Sequence, residues 1–411
     1  MSSREFPRLL AAEGISNFGS MLSRLAIPWL AALVLQATPL QMSALLVADV
    51  LAGALGALLL GSLIDRAGKR AVMLLCDGLR ALLLCGLALA TWLGQVSWPM
   101  LLAAAAGTGL ATVGFELARS AWMAQRLAVG ELAQRNAQLS VTGSLSETAA
   151  FALGGWLYQG LGAALALALD AVSYVASALC LRGVGETPPA TRETVASSRW
   201  AEMWRDTADG WRAVRARPVL RALAGIEVLL ALGMGLTGSS IMIFVSRDVG
   251  LPTGELGMIF ATGALGAIAG GSLAPWLGRR LGAGRAMALG LAALALGTAF
   301  VPMVFVPGWL AVALLVAQQV LGDAGHTVHA VFDRTLRQTA VPQELLARVD
   351  AGIRSAGQFA MLAGALLGGL LGNAHGTRVV LWLAVLFIAA AALLATVTLA
   401  KVTLARHSAG S

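Results

Sequence analysis

Charge is scarce in this sequence. Only 12% of its 411 residues are Asp, Glu, Lys or Arg, where a soluble domain usually carries about 25%. Cysteine is nearly absent as well. Cys76, Cys85 and Cys180 all lie in apolar runs without ligand-like spacing, so they are expected to be buried, inert thiols. No nucleotide-binding motif is present to use ATP, and no cofactor is expected. No soluble basic domain accompanies the net charge of +8, which argues against nucleic acid as a partner. A cleaved leader is not expected either. The first apolar run follows Arg4 and Arg8, is long, and is interrupted by Glu13, Asn17 and Arg24, so it is expected to stay as an anchor.

What is there is hydrophobic length. The chain is 58% hydrophobic, and apolar runs of about eighteen residues or more recur from end to end, the signature of a polytopic membrane protein. Twelve spans are expected, at 8–35, 41–63, 71–93, 98–118, 137–160, 162–182, 219–246, 254–278, 284–303, 307–327, 352–372 and 377–402. Of the Lys and Arg residues, Arg247 and Arg378 fall on the outer face, and Arg24 and Arg80 within the membrane or near its edge. The others fall at the termini or in alternate loops, which places both termini in the cytoplasm. The longest connection, Arg182 to Arg217, is polar. It begins with Pro188 and Pro189 and ends in a segment with Trp200, Trp204 and Trp211, expected to be an amphipathic helix lying on the membrane surface.

That connection divides the chain into a first half at 1–182, a linker at 183–217 and a second half at 218–411. The halves resemble each other. Gly61-Ser62-Leu63 recurs as Gly271-Ser272-Leu273, and Pro7 with Gly14-Ile15 as Pro218 with Gly225-Ile226. Glu131-Leu132 recurs as Glu344-Leu345, Arg135 as Arg348, and Gly154-Gly155 as Gly368-Gly369. The order is kept and the offset stays near about 210 to 214 residues, as a duplicated six-helix unit requires.

Between the second and third spans stands Gly61-Ser62-Leu63-Ile64-Asp65-Arg66-Ala67-Gly68-Lys69-Arg70. Gly68 suits a short turn. Asp65 lies at the C-terminal end of its helix, where the dipole disfavours an acid, so it needs partners. This stretch resembles the G-x-L-x-D-R-x-G-x-R/K loop of the major facilitator superfamily of transporters. The resemblance implies an all-α fold of twelve transmembrane helices in two pseudo-symmetric six-helix halves, and a cytoplasmic gate at Gly61, Asp65, Arg66, Gly68 and Arg70. Asp77 and Arg80 are expected to join that gate, and Arg354 to be a partner of Asp65. Leu132-Ala-Gln-Arg-Asn136, Gly154-Gly155, Asp170-Ala-Val-Ser173-Tyr174 and Gln338 to Arg348 resemble the enterobactin-exporter and macrolide-efflux branch. Two antiporter features of the family are missing. Ala150-Phe151 stands where Gly-Pro is usual, and Arg119 falls past the end of the fourth span.

Ionisable residues inside spans are candidates for function, because each costs at least about 2.5–3.5 kcal/mol to insert. Glu13, Asn17, Ser20 and Arg24 recur at helical spacing as one stripe on the first span, which the resemblance places along a central cavity. Arg24 is read as a counter-charge for substrate or acid, or as a static partner of Glu147 or Asp49. Glu147 in the fifth span and Glu227 in the seventh are proton-carrier or packing residues. In the tenth span Asp323 and His326 are one turn apart, as are His329 and Asp333, which fits a proton relay, a metal site or a solvated face. Asp170, Ser173, Tyr174 and Ser177 form a stripe read as structural.

The function these features imply is secondary active transport by alternating access: proton-coupled export of a small amphipathic molecule such as a drug, a macrolide or a siderophore-like compound. The expected setting is a bacterial inner membrane, with the lipid bilayer, a small-molecule substrate and protons as partners and a monomer as the working unit. The alternatives are an importer of a small polar or anionic metabolite, a membrane-embedded enzyme using the tenth-span Asp/His set, and a receptor or scaffold.

Overall fold

A computed structural model of the chain describes residues 5–186 and 208–399, except the side chains of residues 57–66, 129, 133 and 343. No strand occurs among the described residues. α1 (Glu5–Trp29) continues through a π turn (Leu30–Val34), and α2 (Pro39–Arg66), α3 (Lys69–Trp92) and α4 (Trp98–Arg126) follow. The stretch Val129–Leu181 is two helices, α5 (129–161) and α6 (163–181), because Gly162 leaves the helix at φ 79° and ψ 168°. Glycine alone takes such angles freely, so one residue makes the connection.

A short helix at 208–216 precedes α7 (Pro218–Ile243), which also continues through a π turn (Phe244–Asp248). Proline at the first turn of α4 and α7 sets the helical φ where no N–H partner is lost. α8 (Thr253–Ala261) and α9 (Gly263–Leu281) form one broken span, and α10 (Ala283–Phe300), α11 (Trp309–Ala340), α12 (Gln343–His375) and α13 (Thr377–Leu399) complete the chain. Counting α8 and α9 together and leaving aside the short helix at 208–216, twelve helices among the described residues are arranged in the all-α architecture expected. Nine helical stretches among the described residues are long and apolar enough to cross a membrane, with α5 and α6 counted as one. The two helices outside that set are α1 and α11.

Several helices outrun the apolar spans. α4 runs to Arg126 rather than 118, α5 starts at Val129 rather than 137, α11 reaches Ala340 rather than 327, and α12 starts at Gln343 rather than 352. Hydropathy marks where lipid is met. Ala, Glu, Gln and Arg extend a helix well past that point because their helix propensity is high.

The chain divides into two compact units. The first holds α1–α6 together with Val245–Arg247 and Leu251–Ala261, and hence α8; the second holds the other helices. The first is cored by Phe6, Leu9, Met73, Phe115 and Trp122, the second by Leu223, Ile226, Met287, Phe332, Val349 and Ile388. The cysteines divide: Cys76 is buried, while Cys85 faces outward from α3.

The helix at 208–216 belongs to the second unit's packing. Trp211 lies against that core and over Gly352 of α12, where a Cβ would sit 3.6 Å from the indole Nε1. Gly210 approaches the Arg348 carbonyl too closely to admit a Cβ, and Asp209 receives Arg348 at 3.5 Å. Trp211 is therefore half-buried against the core of the second unit. Trp200 and Trp204 lie outside the described residues.

Candidate transport sites

The polar stripe of α1 splits between two environments. Glu13 is 6% exposed and forms an ion pair with Arg119 of α4. Asn17 donates to the same carboxylate oxygen, Oε1, at 3.4 Å, while Oε2 is buried without a hydrogen-bond partner. Arg119 lies inside α4, because that helix continues to Arg126. Arg24 points elsewhere. It is exposed, and its charge acts on Asp49 of α2. Glu147 is also exposed, and no ion pair joins it to Arg24 among the described residues.

Further along α1 the small hydroxyls meet α6. Ser23 donates to Asp170, Ser173 donates to the same carboxylate at 3.1 Å, and Ser20 and Tyr174 share a hydrogen bond of 2.9 Å. Beside them Asp77 and Arg80 of α3 pair at 2.5 Å, 0% and 3% exposed. Ser177 donates to Asp77 at 2.7 Å, and the Arg80 guanidinium lies between the rings of Tyr174 (4.3 Å) and Phe115 (4.9 Å). Arg80 stands eleven residues into α3, about 16 Å from its start. Asp77 and Arg80 are thus an interior knot binding α3 to α4 and α6.

Of the gate itself, the side chains of Gly61, Asp65 and Arg66 lie outside the described residues. Gly68 caps α3, and the Arg70 N–H donates to Glu186 Oε1 at 3.1 Å. A carboxylate at a helix N-terminus satisfies a free N–H and meets the positive end of the dipole. Glu186 is brought there by a strap after α6. Arg8 donates to the Gly183 carbonyl (2.8 Å), Trp122 to that of Gly185 (2.9 Å) and Arg126 to that of Glu186 (2.5 Å). Sequence reasoning missed this strap. Its signal was a lone acid following the last apolar residue of the half.

The second unit contains a cavity of about 420 Å³, within the range of small-molecule sites. Three helices each give it one face. α7 contributes Glu227, Leu230 and Met234; α12 contributes Asp350, Arg354 and Met361. α11 contributes His326, His329, Asp333, Arg334 and Arg337. Each set recurs at multiples of one helical turn, with separations of three, four, seven, eight or eleven residues from its first member, as on one helical face. The cavity is graded along its length. Toward the helix ends at Pro218, Ala340 and Gln343 it is ionic; deeper, at Leu230, Met234 and Met361, it is apolar. At the ionic end Arg337 holds Asp333 at 2.8 Å, Glu227 at 3.4 Å and Asp350 at 3.7 Å.

Arg354 lines this cavity; Asp65, the partner expected for it, has no described side chain. Asp323 and His326 have different neighbours. Asp323 is turned to Gly263 of α9, where its carboxylate occupies the space of a Cβ, while His326 faces the cavity with its ring 6.3 Å from that of His329. No group of three His, Cys, Asp or Glu side chains among the described residues is arranged to hold a metal ion.

Solved structures share this architecture. A mutant of the nucleoside transporter NupG superposes with a TM-score of 0.77 at 12% identity, covering 96% of this chain and 99% of that one. A bacterial homologue of the iron transporter ferroportin gives 0.74 at 17%, covering 98% and 100%, and the POT family transporter PepTSo 0.70 at 14%, covering 97% and 98%. At such identities the likeness concerns the fold. No curated protein matches the sequence significantly. The sequence model of the Major Facilitator Superfamily matches residues 9–349. The chain therefore belongs to the major facilitator superfamily, as a multi-pass membrane transporter and not an enzyme.

Proposed function

We propose that the chain is a proton-coupled exporter of a small amphipathic molecule, working by alternating access as a monomer in a bacterial inner membrane with both termini cytoplasmic. The observation that carries the proton coupling is Glu13. It is an acid buried in a span, with Arg119 and Asn17 on one oxygen and nothing on the other. A proton has a free seat on Oε2. Once neutral, the acid no longer holds Arg119 by charge, so proton binding alters how α1 is tied to α4. Breaking a buried pair on one side costs about 3–5 kcal/mol, enough to bias a two-state equilibrium strongly. Export rests on the resemblance to the enterobactin-exporter and macrolide-efflux branch. An amphipathic cargo is supported by the cavity of the second unit, ionic at one end and lined by Leu230, Met234 and Met361 at the other.

The test is accumulation of a panel of fluorescent dyes and antibiotics in efflux-deficient cells expressing the chain, with and without a protonophore. Glu13→Gln and Arg119→Gln variants are run at matched expression. Lower accumulation that disappears with the protonophore and in both variants is the expected result. Efflux that survives the protonophore, or an active Glu13→Gln variant, would remove proton coupling through this residue.

A further inference from the structure

The wall of the second unit's cavity carries Glu227, Asp333, Arg334, Arg337, Asp350 and Arg354, and they are not equally committed. Glu227, Asp333 and Asp350 all lie within 4 Å of Arg337. Arg334 and Arg354 also line the cavity, but no ion pair or hydrogen bond joins either to another described residue. Both are exposed, one on α11 and one on α12. The three acids share one guanidinium, that of Arg337, while those of Arg334 and Arg354 are shared with none of them. Uncommitted guanidiniums are weakly hydrated, planar donors that match carboxylate, sulfonate and phosphate oxygens.

Their position along the helices adds to this. Arg354 is seven residues from Met361 on the same face of α12, about 10 Å along the axis. Leu230 and Met234 occupy the facing turns of α7. A ligand held at Arg354 and Arg334 would therefore lay its apolar body against Leu230, Met234 and Met361.

We propose that the cargo is an amphipathic organic anion, its carboxylate or sulfonate held between Arg334 and Arg354 and its apolar body lying along Met234 and Met361. This rests on the transporter reading above and narrows its substrate class. It also suits export, since an inside-negative membrane favours the outward movement of an anion.

The experiment uses three probes with one fluorophore and different charge: dansylglycine (anion), dansylamide (neutral) and dansylcadaverine (cation). Each is titrated against the purified full chain in phosphatidylcholine nanodiscs, following dansyl emission. Dansylglycine is expected to bind at least about tenfold more tightly than the other two. Arg354→Gln and Arg334→Gln should each remove most of that preference without changing dansylamide binding, and Arg354→Lys should restore part of it. Arg285→Gln, on α10 away from the cavity, is the control for non-specific charge loss. Equal affinity for the three probes, a preference for the cation, or unchanged dansylglycine binding in Arg354→Gln would overturn the proposal. Repeating the titration with phosphatidylglycerol separates cargo from lipid. Loss of dansylglycine binding there would assign the clamp to a lipid headgroup and overturn the cargo reading. If charge preference is lacking while protonophore-sensitive efflux persists, the anion clamp fails and the proton-coupled exporter stands.

Discussion

Gly155 of α5 and Gly257 of α8 meet backbone to backbone: a Cβ on Gly257 would lie 2.9 Å from the Gly155 Cα, and one on Gly155 would lie 3.0 Å from the Gly257 Cα. No flexible side chain stands between them to give way. Gly257→Val is therefore expected to force the two helices apart and to lower stability by about 1–3 kcal/mol, the usual cost of overpacking. Thermal denaturation of the detergent-solubilised protein measures it. An unchanged melting temperature would show that the contact is looser than its geometry.

Arg80 has two roles at once, as the partner of Asp77 and as the cation between Phe115 and Tyr174. Arg80→Gln leaves a wholly buried carboxylate without its cation, and a loss of about 3–5 kcal/mol is expected. Lysine keeps the charge but not the planar stacking, so Arg80→Lys should recover only part. The double variant Asp77→Asn/Arg80→Gln should be more stable than Arg80→Gln alone. If it is not, the damage comes from lost packing and not from the stranded charge.

Glu186 provides a cap for α3 from outside the helix. Glu186→Gln should keep the hydrogen bond and lose the charge–dipole attraction, costing a few tenths of a kcal/mol to about 1 kcal/mol, less at high salt. Glu186→Ala should cost more, about 0.5–2 kcal/mol. Gly68→Ala should act on the same contact, because its Cβ would lie 2.7 Å from the Glu186 carboxyl group. Hydrogen exchange at the first turn of α3 in the three variants is the direct readout, and equal protection in all of them would deny Glu186 a capping role.

Much of the fold was legible because it is written in apolar length and in repetition. The spans and their arrangement in two six-helix halves are read without knowledge of any contact. The sites were less legible, for identifiable reasons. Ending the fourth span at 118 hid Arg119 as a partner for Glu13. Ending the tenth at 327 and starting the eleventh at 352 left Arg337 and Asp350 looking like loop residues. In the structure they sit on helices and frame the ionic end of a cavity. Asp323 and His326 show the limit of spacing itself. Three residues leave about 60° between side chains on a helix, enough to send one to α9 and the other into the cavity. The choice among partners for Arg24 depended on rotation about the α1 axis, which periodicity gives only relative to neighbours.

The π turns Leu30–Val34 and Phe244–Asp248 lie 214 residues apart, three more than the 211 that separate Pro7 from Pro218 and Gly14 from Gly225 in the same two helices. An extra residue inserted in a helix is a local flaw in regularity. A flaw toward the same end of α1 and of α7 is what a duplicated six-helix unit would hand to both copies. Sequence has since drifted until Leu30-Ala-Ala-Leu-Val34 and Phe244-Val-Ser-Arg-Asp248 share no residue position by position. The backbone has kept a record of kinship that the side chains have erased.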